Sequence, residues 1–452
     1  MTSNEDAWID RLETSLNACS LETLYTPLKN NSYPVIIGCY QLNESTVEEQ
    51  EPDHDGKQNL DQDDDNNDQI CKEKAKASRS GELILYSINQ ELKFGKQRQG
   101  SLSADSGVLD GKWLQSGRLS FHTRDSHSDD RMKESHISEF YMYATANASG
   151  AINVYQLLDD GDDGDDCPDE SNLQLAHVRS SEVDDVDEIG LALSLAWDES
   201  LFSSNQTGVT STRIVSSYSK GTLALHNVNV NTDIDVDTNS NSSALEIEET
   251  HRWNAHELFG CPAEVWTVCF ASNRHYNTYA DTVISGGDDC KMKLWDVRLC
   301  GISNPKPVTV KTGFEAGVTA VTYHPSLEHI FAVGSYDEEV RIYDMRKLSG
   351  EPLGKVNVGG GVWRIKWHPK DASRMLVGAM HGGCRLVDVP NIELPSISSS
   401  VSDHTEFKMN IVKEFTEHKS MAYGADWICG ENGDFEAAAS CSFYDCQAFI
   451  WD

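Results

Sequence analysis

The stretch Ser285-Gly-Gly-Asp-Asp289, followed by Lys291-Met-Lys-Leu-Trp-Asp296, contains the pattern on which the fold prediction rests. A short apolar run leads into a turn of glycine and aspartate, and a second short run ends on an aromatic residue followed by aspartate. The β-branched and aromatic content of such runs is typical of strands, and glycine and aspartate are typical of the turns between them. The stretch therefore predicts a β-hairpin that closes on the pair Trp295-Asp296.

This closing pair recurs along the chain. The clear copies are Trp295-Asp296, Tyr343-Asp344, Val387-Asp388 and Trp451-Asp452, and weaker copies end near Tyr86, Tyr155 and His226. A unit made only of short strands cannot bury its apolar faces alone, so it must pack against its neighbours. Seven units predict an all-β fold, a seven-bladed propeller in which all 452 residues form a single domain.

Alignment of the units on the closing pair predicts the boundaries of the blades. We expect the seven blades at residues 30–90, 115–157, 189–228, 256–298, 314–346, 358–390 and 418–452. The last blade ends on its third strand, and we expect an N-terminal strand at residues 21–25 to complete it. Segments rich in Asp, Asn and Ser are expected to be disordered loop insertions, at residues 42–79, 157–189 and 227–250.

The composition narrows the classes of partner and compartment. The chain has 37 Lys and Arg against 73 Asp and Glu, and this net charge of -36 repels nucleic acid and anionic membranes. The 12 cysteines include no Cys-x-x-Cys pair, which argues for free thiols in a reducing compartment and against a zinc or other metal site. No apolar run approaches about 18 residues. We expect a cytoplasmic, monomeric protein without membrane contact.

The units resemble the WD-repeat family. In that family a turn aspartate, a histidine before the first strand, a serine or threonine in the second strand and the closing tryptophan share a buried hydrogen-bond network. The resemblance assigns these roles in blade four to Asp289, Ser285 and Trp295. His256 is a looser match, because extra residues separate it from the first strand at Val265.

Blade seven carries His418, Asp445 and Trp451 at the matching repeat positions. A histidine and an aspartate could also form a catalytic pair, so two interpretations compete. His418 lies four residues before Ala422, and Asp445 lies seven before Asp452, where the repeat requires them. Since a buried polar network must be satisfied to be tolerated, we interpret the pair as structural.

Blade six departs from the pattern. Its turn position is His381 instead of aspartate, and Val358 replaces the histidine. A turn histidine without its structural partner is a candidate for function, although it could also have no specific role. Trp363 and Tyr423 begin their first strands on the same face and should converge with His381, or else pack between blades.

Three charged residues alternate with apolar ones on these first strands and are expected to face the central channel as a salt bridge: Arg364, Lys366 and Asp426. Trp266 begins the first strand of blade four at the position equivalent to Trp363 and Tyr423.

Four stretches are more specific than a generic repeat: Gly359-Gly-Gly-Val-Trp-Arg-Ile-Lys-Trp-His-Pro369, Ala379-Met-His-Gly-Gly383, Glu417-His-Lys-Ser-Met-Ala-Tyr-Gly-Ala-Asp-Trp427 and Cys441-Ser-Phe-Tyr-Asp445. Together they resemble the WD-repeat diphthine methylesterases of diphthamide biosynthesis, over blades four to seven. The resemblance implies hydrolysis of the methyl ester of diphthine methyl ester on translation elongation factor two. That factor would be the protein partner, and no cofactor is implied.

The chemistry of this substrate suggests which residues bind it. It carries a quaternary ammonium, which aromatic faces bind well, and Trp363, Tyr423 and Tyr444 could supply such faces. No Gly-x-Ser-x-Gly elbow occurs, so we expect a water molecule activated by His381. The alternative covalent nucleophiles are Cys441, Ser442 and Ser420. The alternative function is a non-catalytic WD-repeat adaptor, which would have a broad, flat face without a pocket.

Overall fold

A computed structural model describes residues 8–43, 78–94, 100–104, 106–123, 136–159, 173–183, 185–200, 203–204, 209–231, 245–272, 275–390, 392 and 407–452. The described strands form seven blades, each a four-stranded antiparallel sheet at its core. The predicted all-β, seven-bladed propeller is therefore confirmed. No helix among the described residues is long and apolar enough to cross a membrane.

The first strand of the chain, β1 (Asp10–Glu13), belongs to the last blade, and the next three blades follow in chain order. Blade one contains β2 (Asn17–Thr23), β3 (Tyr33–Asn43), β4 (Ser78–Ile88) and β5 (Gly100–Ala104). Blade two contains β6 (Val108–Thr123), β7 (His136–Asn147), β8 (Ile152–Asp159) and β9 (Leu173–Ser180). A short helix, α1 (Val186–Ile189), leads to blade three. Blade three contains β10 (Ala192–Trp197), β11 (Ser203–Ser204), β12 (Val209–Tyr218), β13 (Thr222–Asn231) and β14 (Leu245–Asn254).

A two-stranded hairpin, β15 (Glu257–Leu258) and β16 (Cys261–Pro262), precedes blade four. Blade four contains β17 (Thr267–Phe270), β18 (Thr282–Gly287), β19 (Lys291–Asp296) and β20 (Thr309–Lys311), with a 3-10 helix at Val297–Leu299. Blade five contains β21 (Val318–Tyr323), β22 (Ile330–Ser335), β23 (Glu339–Asp344) and β24 (Gly354–Asn357), with a 3-10 helix at Met345–Lys347. Blade six contains β25 (Arg364–Trp367), β26 (Arg374–Gly378), β27 (Cys384–Asp388) and, after β28 (Phe407–Lys408), β29 (Asn410–Phe415). Blade seven contains β30 (Ala422–Cys429), β31 (Glu436–Ser442) and β32 (Gln447–Trp451).

An N-terminal strand closes the ring, as predicted, but it is not the predicted one. Strand β1 pairs antiparallel with β32, with Asp10 opposite Ile450 and Glu13 opposite Gln447. The predicted segment at 21–25 instead belongs largely to β2, the innermost strand of blade one, where Leu21 is buried. The short β1 has only four residues of alternating partial burial, so its sequence signal is weak.

The predicted insertions are partly strands. Residues 173–180 form β9, and residues 245–254 form β14, the outer strands of blades two and three. In β14, buried Leu245 and Ile247 alternate with exposed Glu246 and Glu248, a period of two that the polar surroundings obscured. Three further parts are also ordered elements: 157–159 end β8, 186–189 form α1 and 227–231 end β13. The segments 44–77, 160–172 and 232–244 of the predicted insertions lie outside the described residues.

Adjacent blades pack through their apolar faces. Ala332 and Ile342 of blade five share one core cluster with Val377 and Val387 of blade six. Blades approach so closely that a Cβ atom on Gly334 would lie 2.2 Å from a methyl carbon of Val362 in the next blade. Glycine is therefore required here by space.

The propeller has two faces that differ in the segments they carry. The first strand of each blade begins on one face, and the antiparallel second strand returns to it. The turn between the second and third strands therefore lies on the same face as the start of the first strand. We name this the top face, and it carries the candidate site.

Candidate functional site

The polar network of blade four connects four buried side chains. The His256 ring nitrogens contact Asp289 Oδ1 at 2.7 Å and Ser285 Oγ at 2.8 Å, and Trp295 Nε1 donates to Ser285 Oγ at 3.0 Å. The extra residues before Val265 form the β15–β16 hairpin, so they leave His256 in place. All four side chains therefore have a structural role in blade four.

Blade seven has a longer version of this network. His418 contacts Ser440 Oγ and Ser442 Oγ at 2.7 Å each, and Trp451 Nε1 donates to Ser440 at 3.0 Å. Ser442 donates to Asp445, so the aspartate reaches the histidine through a serine. Burial lowers the pKa of His418 to about 4, which keeps the ring neutral. The histidine, both serines and the aspartate are thus all engaged with one another, as expected for a structural network.

The turn of blade six has a different backbone from its counterparts. In blades four, five and seven the left-handed residue directly follows the turn aspartate, at Cys290, Glu338 and Cys446. In blade six Met380 has φ of +45°, one position before His381, and Gly383 has φ of +81°. The His381 side chain is exposed. The changed turn accompanies the loss of the aspartate and leaves the imidazole outside any buried network.

This turn is attached to the start of blade seven. The Ala422 backbone N–H donates to the Met380 carbonyl at 3.1 Å, and Ala422 precedes Tyr423. A Cβ atom on Gly361, two residues before Trp363, would lie 3.0 Å from Met380 Sδ. The residue next to His381 therefore sits between the chain segments that carry Trp363 and Tyr423.

Four half-buried rings line the top face beside this turn, and we name them the aromatic arc: Trp266, Tyr336, Trp363 and Tyr423. Ring centres are 4.9 Å apart for Trp363 and Tyr423, and 5.7 Å apart for Trp363 and Trp266. Tyr336 lies 6.2 Å from Trp266 and 6.1 Å from Trp363. The two aromatic residues predicted to converge are thus in contact.

Tyr444 lies further along the same face and touches the aromatic arc through one intermediate ring. Phe443 is 5.6 Å from Tyr423 and 4.8 Å from Tyr444, between ring centres, and Tyr40 of blade one is 4.9 Å from Phe443. Tyr444 is 69% exposed. It therefore extends the aromatic surface outward instead of lining its centre.

Carboxylates border the other end of the aromatic arc. Trp266 Nε1 donates to Asp288 Oδ1 at 3.3 Å. Burial raises the pKa of Tyr336, and the neighbouring charges of Asp288 and Glu264 raise it further. Burial also raises the pKa of Tyr423 to about 12. The phenols stay neutral while the surrounding field is negative, a setting that favours a bound cation.

The alternative nucleophiles differ in their access to a substrate. Cys441 is buried, and burial raises the pKa of its thiol to about 12, which suppresses the nucleophilic thiolate. Ser442 is also buried and engaged with His418 and Asp445. Ser420 is half-buried, and its Oγ accepts from the Tyr444 backbone N–H at 3.0 Å. Ser442 thus has a base beside it, but both Ser442 and His418 are engaged in the polar network of blade seven.

Six charged side chains form a buried ion cluster in the channel: Glu22, Asp110, Asp426, Lys112, Arg364 and Lys366. The expected pair Lys366 and Asp426 is 3.3 Å apart, whereas Arg364 instead pairs with Asp110 at 3.1 Å. Burial would raise the pKa of Asp110, but Arg364 and Lys112 outweigh it and hold the pKa at about 2. The cluster has three carboxyl and three basic side chains, and burial raises the pKa of the Asp426 carboxyl. It ties blades one, two, six and seven together.

A cavity of about 370 Å³ runs along the channel, and Trp266 and Trp363 belong to its lining. His381 and Tyr423 do not. Two of the four rings of the aromatic arc therefore line this cavity, at the starts of their first strands. The lining continues along the first strands of the blades to Glu199, Pro325 and Pro369, beyond their other ends.

The sequence prediction missed Tyr336 as a member of this site. Tyr336 directly precedes Asp337, the residue seven before the closing Asp344. The same position is held by Asp288, Met380 and Tyr444 in the other three C-terminal blades. The aligned repeats do carry a signal for Tyr336, because the position directly before the turn residue is aromatic in blades five and seven.

Comparisons with known proteins agree with this architecture. Residues 248–296 and 305–344 match the family described as WD domain, G-beta repeat. A chain from the crystal structure of the mitotic checkpoint complex superposes with a TM-score of 0.51 at 12% identity, covering 100% of this chain and 96% of that one. At this identity the likeness shows the fold alone.

Three relatives share one name. The diphthine methyltransferase homolog of Dictyostelium discoideum is 29% identical over 360 residues, which are 78% of this chain and 77% of that protein. Diphthine methyltransferase of Mus musculus is 32% identical over 314 residues, 68% of this chain and 55% of the mouse protein. That of Homo sapiens is 26% identical over 419 residues, 93% and 74% respectively. The chain is a seven-bladed propeller in which residues 248–296 and 305–344 match WD repeats, and it has homologues named diphthine methyltransferase.

Proposed function

We propose that this protein hydrolyses the methyl ester of diphthine methyl ester on translation elongation factor two, yielding diphthine and methanol in diphthamide biosynthesis. The observation that carries the proposal is the aromatic arc with its bordering carboxylates. Trp363 and Tyr423 are in ring contact beside the irregular turn of His381. The homologues' shared name points to the same modified side chain.

The aromatic arc fits the cationic part of this substrate. A quaternary ammonium has no N–H to donate, so it is bound by ring faces and by nearby negative charge. Asp288 and Glu264 supply that charge at the Trp266 end. With the ammonium on the rings, the ester extends from the arc over the neighbouring turn.

His381 is the proposed general base for the ester. Its exposed imidazole can accept a proton from a water molecule as that water attacks the ester carbonyl. The tetrahedral intermediate then loses methoxide, which takes up the proton and leaves as methanol. One ester and one water thus give one carboxylic acid and one methanol.

Two other functions remain to be distinguished by experiment. The homologues' name describes methyl transfer, which would add a methyl group to the substrate instead of removing one. A non-catalytic adaptor would bind proteins on a flat face, and the cavity of about 370 Å³ that Trp266 and Trp363 help to line favours a small-group site instead.

Intact-mass measurement of the elongation factor tests the three functions together. Purified protein is incubated with elongation factor that carries the methyl ester, and methanol is assayed in parallel. Hydrolysis predicts replacement of one methyl group by a proton with equimolar methanol. In a parallel arm with the unesterified factor and a methylsulfonium donor, a gain of one methyl group would support transfer. An unchanged mass in both arms with stable binding would support the adaptor.

A further inference from the structure

The hairpin β15–β16 is an addition to the repeat that the polar network does not need. His418 lies four positions before Ala422, whereas His256 lies nine positions before Val265, so blade four has five additional residues here. Residues 257–262 form a hairpin in this added segment, in which Glu257 pairs with Pro262 and Leu258 with Cys261. Its two loop residues are Phe259 and Gly260.

Phe259 combines high exposure with an unfavourable backbone conformation. Its side chain is 97% exposed, more than any other large apolar side chain in the described residues. Its φ is +52° and that of Gly260 is +81°, the signs that a two-residue type I′ loop requires. Asparagine followed by glycine is the favoured sequence for such a loop, and a bulky residue at positive φ is strained. Within the part of the chain that the structure describes, this ring gains almost no burial that would offset the strain, so its use points outward.

The hairpin stands on the top face at the Trp266 end of the aromatic arc. The Ala263 backbone N–H donates to the His256 carbonyl at 3.2 Å, which closes the base of the hairpin. Next to this base, the Asp288 backbone N–H donates to the Glu264 carbonyl at 2.9 Å. Asp288 in turn accepts the Trp266 indole N–H. A bonded path thus joins the hairpin to the arc.

We propose that Phe259 is a docking contact for the folded protein that presents the esterified side chain, an inference that rests on the proposed function. The side chain enters the aromatic arc, so the surface around it must cover the top face. Phe259 then inserts into an apolar pocket on that protein. Glu257 belongs to the hairpin, and Glu264 and Asp288 lie next to its base. We therefore expect the border of that pocket to be basic.

The test compares a protein substrate with a small one. Steady-state hydrolysis is measured for Phe259→Asn on the esterified elongation factor and on a short peptide that bears the same esterified side chain. We expect KM for the protein to rise about tenfold, as for the loss of an interface aromatic, with kcat and peptide hydrolysis unchanged. The Tm should stay equal or rise, because asparagine suits the type I′ loop. Ile302→Ala, 58% exposed on the opposite face, is the matched control and should leave both substrates unchanged.

The outcomes separate this inference from the proposed function. If the unaltered protein hydrolyses neither substrate, the proposed function fails. If the unaltered protein hydrolyses both substrates and Phe259→Asn leaves KM for the protein substrate unchanged, the docking contact is overturned. An equal loss on protein and peptide would also overturn it, because Phe259 would then act on the site itself and not on the surrounding surface.

Discussion

At the scale of single residues, the site depends on Trp363, which contacts three other rings of the aromatic arc. We expect Trp363→Ala to lower kcat/KM about tenfold through the loss of a cation–π contact, whereas Trp363→Phe retains much of it. An ester analogue in which carbon replaces the quaternary nitrogen should bind both variants equally. Equal losses for the charged and the neutral ester would show that Trp363 only shapes the pocket.

His381 is the second residue that can be tested alone. Its exposed side chain supports no described contact, so His381→Ala should fold with an unchanged Tm. Loss of a general base predicts a fall in kcat of about 10²–10⁴-fold, with partial rescue by added imidazole and little change in KM. His381→Gln, which keeps the size but not the basicity, should be as slow as the alanine variant. Unchanged turnover in either variant would rule out the water-base mechanism.

The repeat alignment could predict which histidines are structural, because the closing pair serves as a reference position for each blade. His256 and His418 fall in buried networks at the aligned positions. It could not predict the left-handed Met380 or the contacts of Tyr336, because both depend on how a turn packs against the neighbouring blade.

At the scale of elements, the closing strand β1 fixes the last blade. Ile9 and Leu12 pack against the core cluster shared by blades seven and one. Deletion of residues 1–14 should therefore lower the free energy of unfolding by about 2 kcal/mol or more, because two apolar side chains lose their burial. Deletion of residues 1–7 alone leaves β1 intact and serves as the control. Equal Tm values for the two deletions would contradict closure by β1.

Strand prediction succeeded where both faces of a strand are buried in a repeat and failed at the edges. The outer strands β9 and β14 lie beside polar segments, and their short alternating patterns cannot be distinguished from these segments by sequence. The first strand β1 has only four residues, and it is held in the sheet by pairing with β32, more than 430 positions away. Such pairing is a property of the closed ring and leaves no local signal.

At the scale of the whole molecule, burial lowers the pKa of five of the described histidines: His226, His256, His324, His368 and His418. Burial lowers the pKa of His418 and of His324 to about 4, and burial together with Arg252 lowers that of His226 to about 3. The unfolded chain binds these protons below about pH 6.5, whereas the folded chain does not. The contribution of these neutral, buried histidines to the free energy of unfolding is thus fully present above pH 6.5, and it is lost as the pH falls towards 4.

Unfolding at a series of pH values checks this linkage. The free energy of unfolding should decrease by about 2 kcal/mol per histidine between pH 6.5 and 4. The variant His226→Gln should be less stable at pH 7 but show a shallower decrease, because one titrating group is gone. A stability that is constant over this range, in the parent protein, would contradict the buried neutral state.

The central claim for the whole molecule is that the top face hydrolyses a methyl ester with water. The most direct measurement is mass spectrometry of both products after reaction in water enriched in oxygen-18. Attack of water on the ester carbonyl predicts one heavy oxygen in the carboxylate of the protein product and none in the methanol. Loss of the methyl group with no heavy oxygen in the carboxylate, as in transfer of that group to another acceptor, would contradict the account.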